Sequence, residues 1–334
     1  MLKFCSTFLV TCLLSCVALA QAAGQAADQT SGSQATTPSK KVASASTKSK
    51  SKKRNTKKAI DDPDKPSIGD MQGLQYTEDS LDLKSNAALV IDQEDSKVLF
   101  EKNASVSLPI ASITKLMTSL VVLEANQDMD EMIEVTNADI DLEKGTGSRL
   151  RIGSKLKRSD MLHIALMSSE NRAASALGRN YPGGLEACVA AMNAKAESLG
   201  MLETHYVDST GLSSQNVASA QDLARLVNAA SAQPLIRQYS TDTSYSVHPG
   251  RGRLDYHSSN RLTSSSDWNI ALQKTGYISE AGRCLVMEAV IKGRAVVMVF
   301  LDSKGKYTRF ADAGRIRSWI ESFKPQAIDN LATR

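Results

Sequence analysis

Histidine and cysteine are scarce in this chain: four and five copies in 334 residues, with aromatic side chains at 5%. His163, His205, His248 and His257 stand in no recognisable motif, so no Ser-His-Asp triad is evident. No histidine or cysteine cluster has metal-ligand spacing, and no metal or organic cofactor is implied. Met161, Met167, Met192 and Met201 read as core filling rather than a copper site. Cys5, Cys12 and Cys16 sit in an N-terminal leader, which leaves Cys188 and Cys284. These could form one disulfide in an oxidising compartment, but sequence does not bring them together, and two buried free thiols are the simpler expectation. Beyond the leader no run is apolar enough to cross a bilayer, which needs about 20 residues. There is no internal repeat.

The first 23 residues read as a secretory signal: Lys3, then the apolar "FLVTCLLSCVALA", then small-residue cleavage sites near Ala20 or Ala22. "LLSC", ending at Cys16, offers a lipoprotein alternative. Simple cleavage and a soluble exported protein are the favoured expectation. From 24 to 75 the expectation is a disordered basic tether, because Ser, Thr, Ala, Gln and Lys cannot bury enough surface to offset chain entropy. "KKVASASTKSKSKKRNTKK" carries nine basic and no acidic residues, so the formal +4 of the whole becomes −5 without it. Behind an export signal nucleic acid is not the expected partner. A solvated tether is preferred, with weak attraction to an acidic wall polymer as the lesser reading.

The folded body is expected over 81–323, with 324–334 as a tail. "AALVIDQEDSKVLFEKN" predicts two strands joined by a tight turn at 92–96. An apolar helix follows from Ser112 to about Ala125, then a short extended "EMIEV" and the glycine-punctuated loop "DLEKGTGSRLRIG". The middle is helical: Ser159 is a candidate N-cap for "DMLHIALMSS", Gly200 a C-cap for "LEACVAAMNAKAESLG", and Ser219 a cap for "AQDLARLVNAAS". "WNIALQKTGY", "RCLVMEAVIKG" and "AVVMVFLDSKG" have strand lengths and hairpin-like breaks, and "RFADAGRIRSWIESF" is a closing amphipathic helix. Strands at both ends around a helical middle predict an α+β fold: one antiparallel sheet flanked by helices, with an inserted helical subdomain. The late connections are too short for parallel crossovers.

Within this frame the chemistry-bearing residues are serines and lysines. Ser112 and Lys115 lie one helical turn apart in "PIASITKLMTS", on one face of a helix that is otherwise apolar. A lysine there is costly unless it has a partner or a task. The S-x-x-K spacing also occurs at Ser49, Ser154 and Ser303, but only Ser112 opens an apolar helix, whose N-terminal N–H groups would stand beside the hydroxyl. "SSEN" supplies Ser169, Glu170 and Asn171 at a helix junction, and Lys274-Thr275-Gly276 stands near the end of an apolar strand. S-x-N recurs at Ser214 and Ser258, and alone would be ordinary capping. The order S-x-x-K, S-x-N, K-T-G is what carries weight, being the set found in penicillin-binding proteins and class A β-lactamases.

Through these motifs and through "ALMSSENRAA", "AAMNAKAESLGM", "TGLS", "WNIALQKTGY" and "GKYTRFADA", the sequence resembles the serine DD-peptidase superfamily. Within it, the chain is most similar to the D-alanyl-D-alanine endopeptidases of peptidase family S11, the penicillin-binding protein 7 type, over 81–323. The resemblance implies a β-lactamase/transpeptidase-like fold, peptidoglycan stem peptides as substrate and β-lactams as covalent inhibitors. It implies that Ser112 attacks the D-alanyl carbonyl, that Lys115 takes its proton, and that Ser169 relays a proton to the leaving amine. Asn171 would orient the lysine and the substrate amide, Lys274 and Thr275 would bind the substrate carboxylate, and Gly276 would let the substrate lie against the strand. The backbone N–H groups of Ser112 and Tyr277 would form the oxyanion hole, each donor worth about 3–4 kcal/mol in the transition state. Lys115 serves only if neutral, and moving a lysine from about 10.4 to near 7 corresponds to about 4–5 kcal/mol, from burial plus the second cation Lys274. Glu170 is assigned no catalytic role.

Three alternatives stand beside this reading. A class A β-lactamase would need a further glutamate in an E-x-x-L-N type loop, and none follows Asn171. A D-alanyl-D-alanine carboxypeptidase of the membrane-anchored type would usually continue into a β-rich domain and an anchor, whereas 58 residues follow Gly276 here. A non-catalytic wall-binding module is opposed by the intact motifs.

Overall fold

The computed structural model describes residues 65–250 and 252–323. The leader, the Cys16 alternative, the basic run and the 324–334 tail lie outside the described residues. The expected tether boundary at 75 needs correction. Residues 67–76 belong to the folded body, as the helix α1 (Ile68–Met71) and a 3-10 turn over Leu74–Tyr76. Ser67 caps α1, its Oγ donates to Asp302 at 2.6 Å, and the Ile68 N–H reaches the Glu280 carbonyl at 3.0 Å. The segment carries little apolar signal because polar contacts hold it.

The chain then runs through β1 (Ser85–Asp92), β2 (Val98–Lys102) and a two-residue β3 (Leu108–Pro109) into α2 (Thr114–Glu124). β4 (Met132–Glu134) and β5 (Lys155–Lys157) form a small hairpin that brackets the long loop. Next come α3 (Arg158–Met167), α4 (Asn171–Arg179), α5 (Gly184–Ser198), a two-residue β6 (Val217–Ala218), α6 (Ala220–Ser231) and α7 (Pro234–Thr241). The hairpin β7 (Ser244–Val247) and β8 (Leu254–His257) precedes β9 (Asn269–Ile278), β10 (Gly282–Ile291), β11 (Arg294–Ser303) and α8 (Thr308–Ser322). α3 begins one residue before the expected cap: Lys157 holds the N-cap position, so Ser159 lies inside the helix. Ser219 does cap α6, accepting from the Asp222 N–H, and Gly200 follows α5 at φ +69°, where glycine is favoured.

β2, β1, β11, β10 and β9 form one antiparallel sheet in that order, so the ends of the sequence meet at its centre, with Ser85 opposite Ser303. Both faces are buried, which explains the nearly continuous apolar runs. Ala87, Leu89, Val297, Val299 and Leu301 face the helical body, whereas Ala88, Val90, Met298 and Phe300 pack against Phe310, Ala313, Ile316 and Ile320 of α8. β9 is the sheet edge nearest the helical subdomain. Cys188 and Cys284 are buried free thiols, and burial pushes each up to about 12.

Candidate active site

Ser112 stands on a 3-10 turn, Ala111–Ile113, that leads into α2. The turn is held from below. Leu108 and Pro109 pair with Ala218 and Val217, and the Ile110 N–H bonds the Asn216 carbonyl at 3.0 Å. Ala111 is forced to φ +47°, an unfavourable conformation for a residue with a Cβ. Gly211 (φ +78°) passes so close beneath that a Cβ on it would sit 1.9 Å from the Ala111 carbonyl oxygen. Only glycine fits that position. The Gly211 turn is organised by Asp208, whose carboxylate accepts the N–H groups of Thr210 (2.5 Å), Gly211 (2.6 Å) and Ser213 (3.0 Å).

From α2 the fully buried Lys115 presents its Nζ 2.7 Å from Ser112 Oγ, 2.8 Å from Asn171 Oδ1 and 2.6 Å from the Thr210 carbonyl. Asn171 opens α4, and its Nδ2 donates to Thr146 Oγ1 at 2.9 Å. Ser169, at φ +65° in the α3–α4 junction, accepts from Lys274 Nζ at 2.9 Å. Lys274 is also fully buried and bonds the Thr275 carbonyl, while Thr275 Oγ1 donates to Ser259 Oγ at 2.7 Å. Gly276 lets β9 lie against the nucleophile turn: a Cβ there would be 2.7 Å from the Ile110 carbonyl and 3.3 Å from the Ser112 nitrogen. Tyr277 is the next residue of β9, with the Arg283 guanidinium over its ring. All eight residues singled out from sequence thus lie around one cleft between β9 and the helical subdomain.

Burial pulls Lys115 down to about 7, against the opposing charges of Asp208 and Glu170, which raise it. Lys274 is held well below the ordinary lysine range by burial first, then by Lys115 and Arg309. Burial is the first cause for each amine, and because the repulsion between two fully buried amines is mutual, each disfavours the other's charge. Lys115 also has the geometry of a base. A neutral amine has two N–H donors and one lone pair. Asn171 Oδ1 and the Thr210 carbonyl are acceptors and take the two donors, which turns the lone pair toward the Ser112 hydroxyl.

Sequence reasoning missed Thr210, Asp208, Gly211, Ser259 and Thr146. The Thr210 contact is made by a backbone carbonyl, so its side chain carries no signal, whereas "DSTG" with its turn-forming Asp and Gly could have marked that loop. Glu170 is structural: its carboxylate accepts the Arg172 N–H at 3.2 Å and the Tyr256 hydroxyl at 3.3 Å. His163 is packed between the rings of Tyr239 and Tyr245 and faces Asp242 at 3.0 Å, away from this chemistry. Among the described residues no group of three or more His, Cys, Asp or Glu could hold a metal ion, and no helix is long and apolar enough to cross a membrane.

Comparison with known proteins converges on one family. The model of the D-alanyl-D-alanine carboxypeptidase family, peptidase S11, matches residues 74–305. A D-alanyl-D-alanine endopeptidase of Pseudomonas aeruginosa is 49% identical over 254 residues, covering 75% of this chain and 82% of that one. The Escherichia coli D-alanyl-D-alanine endopeptidase is 45% identical with the same coverage. The solved structure of penicillin-binding protein D2 from Listeria monocytogenes, in its ampicillin-bound form, superposes with a TM-score of 0.62 at 29% identity, over 72% of this chain and 98% of that one. The family's model spans well over half of the chain, two relatives exceed 40% identity, and the chain belongs to the D-alanyl-D-alanine carboxypeptidase family, peptidase S11.

Proposed function

We propose that this chain is a murein DD-endopeptidase that hydrolyses D-alanyl–diaminopimelate cross-links of peptidoglycan through a serine acyl-enzyme. The observation that carries the reading is the buried Lys115 amine, pulled to about 7 and 2.7 Å from the Ser112 hydroxyl. Lys115 takes the hydroxyl proton as Ser112 Oγ bonds to the D-alanyl carbonyl carbon. The carbonyl electron pair moves onto oxygen, where the N–H groups of Ser112 and Tyr277 receive it. Collapse breaks the C–N bond, and the proton held by Lys115 passes through Ser169 to the departing amine. Water then adds to the ester with Lys115 again as base, which releases the new carboxyl terminus and restores Ser112.

Lys274 and Thr275 bind the carboxylate beside the leaving nitrogen, and Asn171 holds both Lys115 and the substrate amide. An anion beside Lys274 favours its charged form, against burial and Lys115, which disfavour it. On this reading the enzyme works in the periplasm, reached by cleavage of the leader (or kept at the membrane as a lipoprotein through Cys16). The basic run is a tether that adds weak contact with the acidic wall, and β-lactams acylate Ser112. The relatives named endopeptidases at 45% and 49% identity support the cross-link as substrate. Carboxypeptidase activity is the second reading, favoured by the same clamp, since a terminal D-Ala-D-Ala also carries a carboxylate next to its leaving nitrogen.

The test incubates the protein with purified cross-linked muropeptide dimers and with pentapeptide monomers. Cleavage of dimers alone supports the endopeptidase, and cleavage of monomers alone moves the assignment to carboxypeptidase. A Ser112→Ala variant loses both hydrolysis and penicillin labelling. A penicilloyl adduct on any other residue overturns the mechanism.

A further inference from the structure

The two substrate readings differ in what leaves. A carboxypeptidase releases free D-alanine, while an endopeptidase releases a whole stem peptide, which needs room and recognition beyond the carboxylate clamp. The clamp fixes which end of the cleft this is. Ser169, Lys274 and Thr275 lie on the leaving side, and Thr275 is bonded to Ser259, which follows β8 by two residues.

A cavity of about 590 Å³ opens at this end, lined by Ser168, Ser169, Asn171, Arg149, Tyr256 and His257 among others. Its cation is pre-positioned. The Arg149 guanidinium lies 4.0 Å over the Tyr256 ring, and one N–H is bound to the Asp255 carbonyl at 2.6 Å. Tyr256 is itself buried and hydrogen-bonded to Glu170, next to Ser169. A guanidinium has five donors, so this one is oriented and still has donors to give. The acid in the same lining, Glu170, is engaged by the Arg172 N–H and the Tyr256 hydroxyl. Ser148 and Arg149 also line a second cavity of about 620 Å³, whose other charged residue is Arg151. Two arginines against one glutamate leave the combined lining net positive, with the excess in the second cavity.

We infer that this paired cavity binds the acceptor stem peptide, with Arg149 receiving one of its carboxylates, and that Arg149 is the residue that favours cross-link cleavage over carboxypeptidase action. The inference rests on the acyl-enzyme reading above and names the leaving group it selects. Arg149 is a specificity residue and takes no part in bond making.

The experiment measures kcat/KM on cross-linked dimers, on the same dimers with the acceptor-stem carboxylates amidated except the one beside the leaving nitrogen, and on pentapeptide monomers. It compares wild type, Arg149→Ala and Arg149→Lys. A bidentate charge-assisted contact predicts a loss of about tenfold or more for Arg149→Ala on dimers, borne mainly by KM. Amidated dimers lose the same factor with wild type and nothing further with the variant. Arg149→Lys falls between, because it keeps charge without the planar fork. Monomer cleavage and penicillin acylation of Ser112 stay unchanged in both variants, which separates the subsite from the catalytic reading: loss of acylation would implicate the latter. Equal loss on dimers and monomers, or amidation that leaves the wild-type rate intact, overturns the inference.

Discussion

The depressed pKa of Lys115 makes the acid limb of the acylation profile a quantitative test of the base. With Lys115 near 7, the neutral fraction falls from about one half at pH 7 to about one tenth at pH 6 and about one hundredth at pH 5. Penicillin's departing nitrogen stays tethered after the ring opens and takes the proton that Lys115 removed from Ser112, so acylation still begins only from the neutral amine and its rate should track this fraction. Stopped-flow labelling with a fluorescent penicillin across that range should follow the same fall. Glu170→Gln sharpens the test. Its amide oxygen can still accept the Arg172 N–H, but the charge that raises Lys115 is gone, so the midpoint should move to lower pH. The sign for stability follows from the same shift. The unfolded chain binds the Lys115 proton up to the ordinary 10.5, whereas the native state releases it at about 7. This residue's contribution therefore rises with pH between those values, and the full penalty of about 5 kcal/mol applies below the lower one. A flat acylation profile, or an upward move of the midpoint in Glu170→Gln, would refute the argument that dehydration prepares Lys115 as the base.

Gly211→Ala should lower the acylation rate by about a hundredfold, because relief of the clash with the Ala111 carbonyl must displace the turn that carries Ser112. The left-handed conformation alone costs that variant about 1–2 kcal/mol, readable as a lower melting temperature, and wild-type acylation would disprove the coupling. Ser67→Ala removes a 2.6 Å bond to the buried Asp302 carboxylate, which burial already holds above the usual carboxylate range. The urea midpoint should fall by the equivalent of about 1.5–3 kcal/mol with catalysis unchanged, and an unshifted midpoint would return residues 67–76 to the status of a tether.

Most of the fold was legible because both ends of the chain carry strand-length apolar runs with short breaks, and those runs do form the sheet. The seven motif residues could be singled out because order and context distinguished them from chance copies, and Tyr277 came with the resemblance. Two of those copies proved more than chance. Asn216, in the second S-x-N, is fully buried and accepts the Val207 and Asp208 N–H groups, bracing the turn beneath Ser112. Ser259, in the third, is the partner of Thr275. Neither could be singled out from sequence, since a supporting hydrogen bond has no spacing of its own. The same limit hid the Thr210 carbonyl and the start of the body at Ser67. The two lysines could be paired from sequence, but that each amine is fully buried became visible only in three dimensions.

The pairing of β1 with β11 has a consequence for biosynthesis. Ser112 and Lys115 are made early, yet the wall opposite them is β9, which is joined to the early strands only through β10 and β11. A polypeptide halted before Arg294 would already contain every motif of the cleft and still lack β11, the strand that ties β10, and through it β9, to β1. Such closure of distant segments is slow. Hydrolytic competence should therefore switch on in a single late step, leaving half-made copies harmless to the wall.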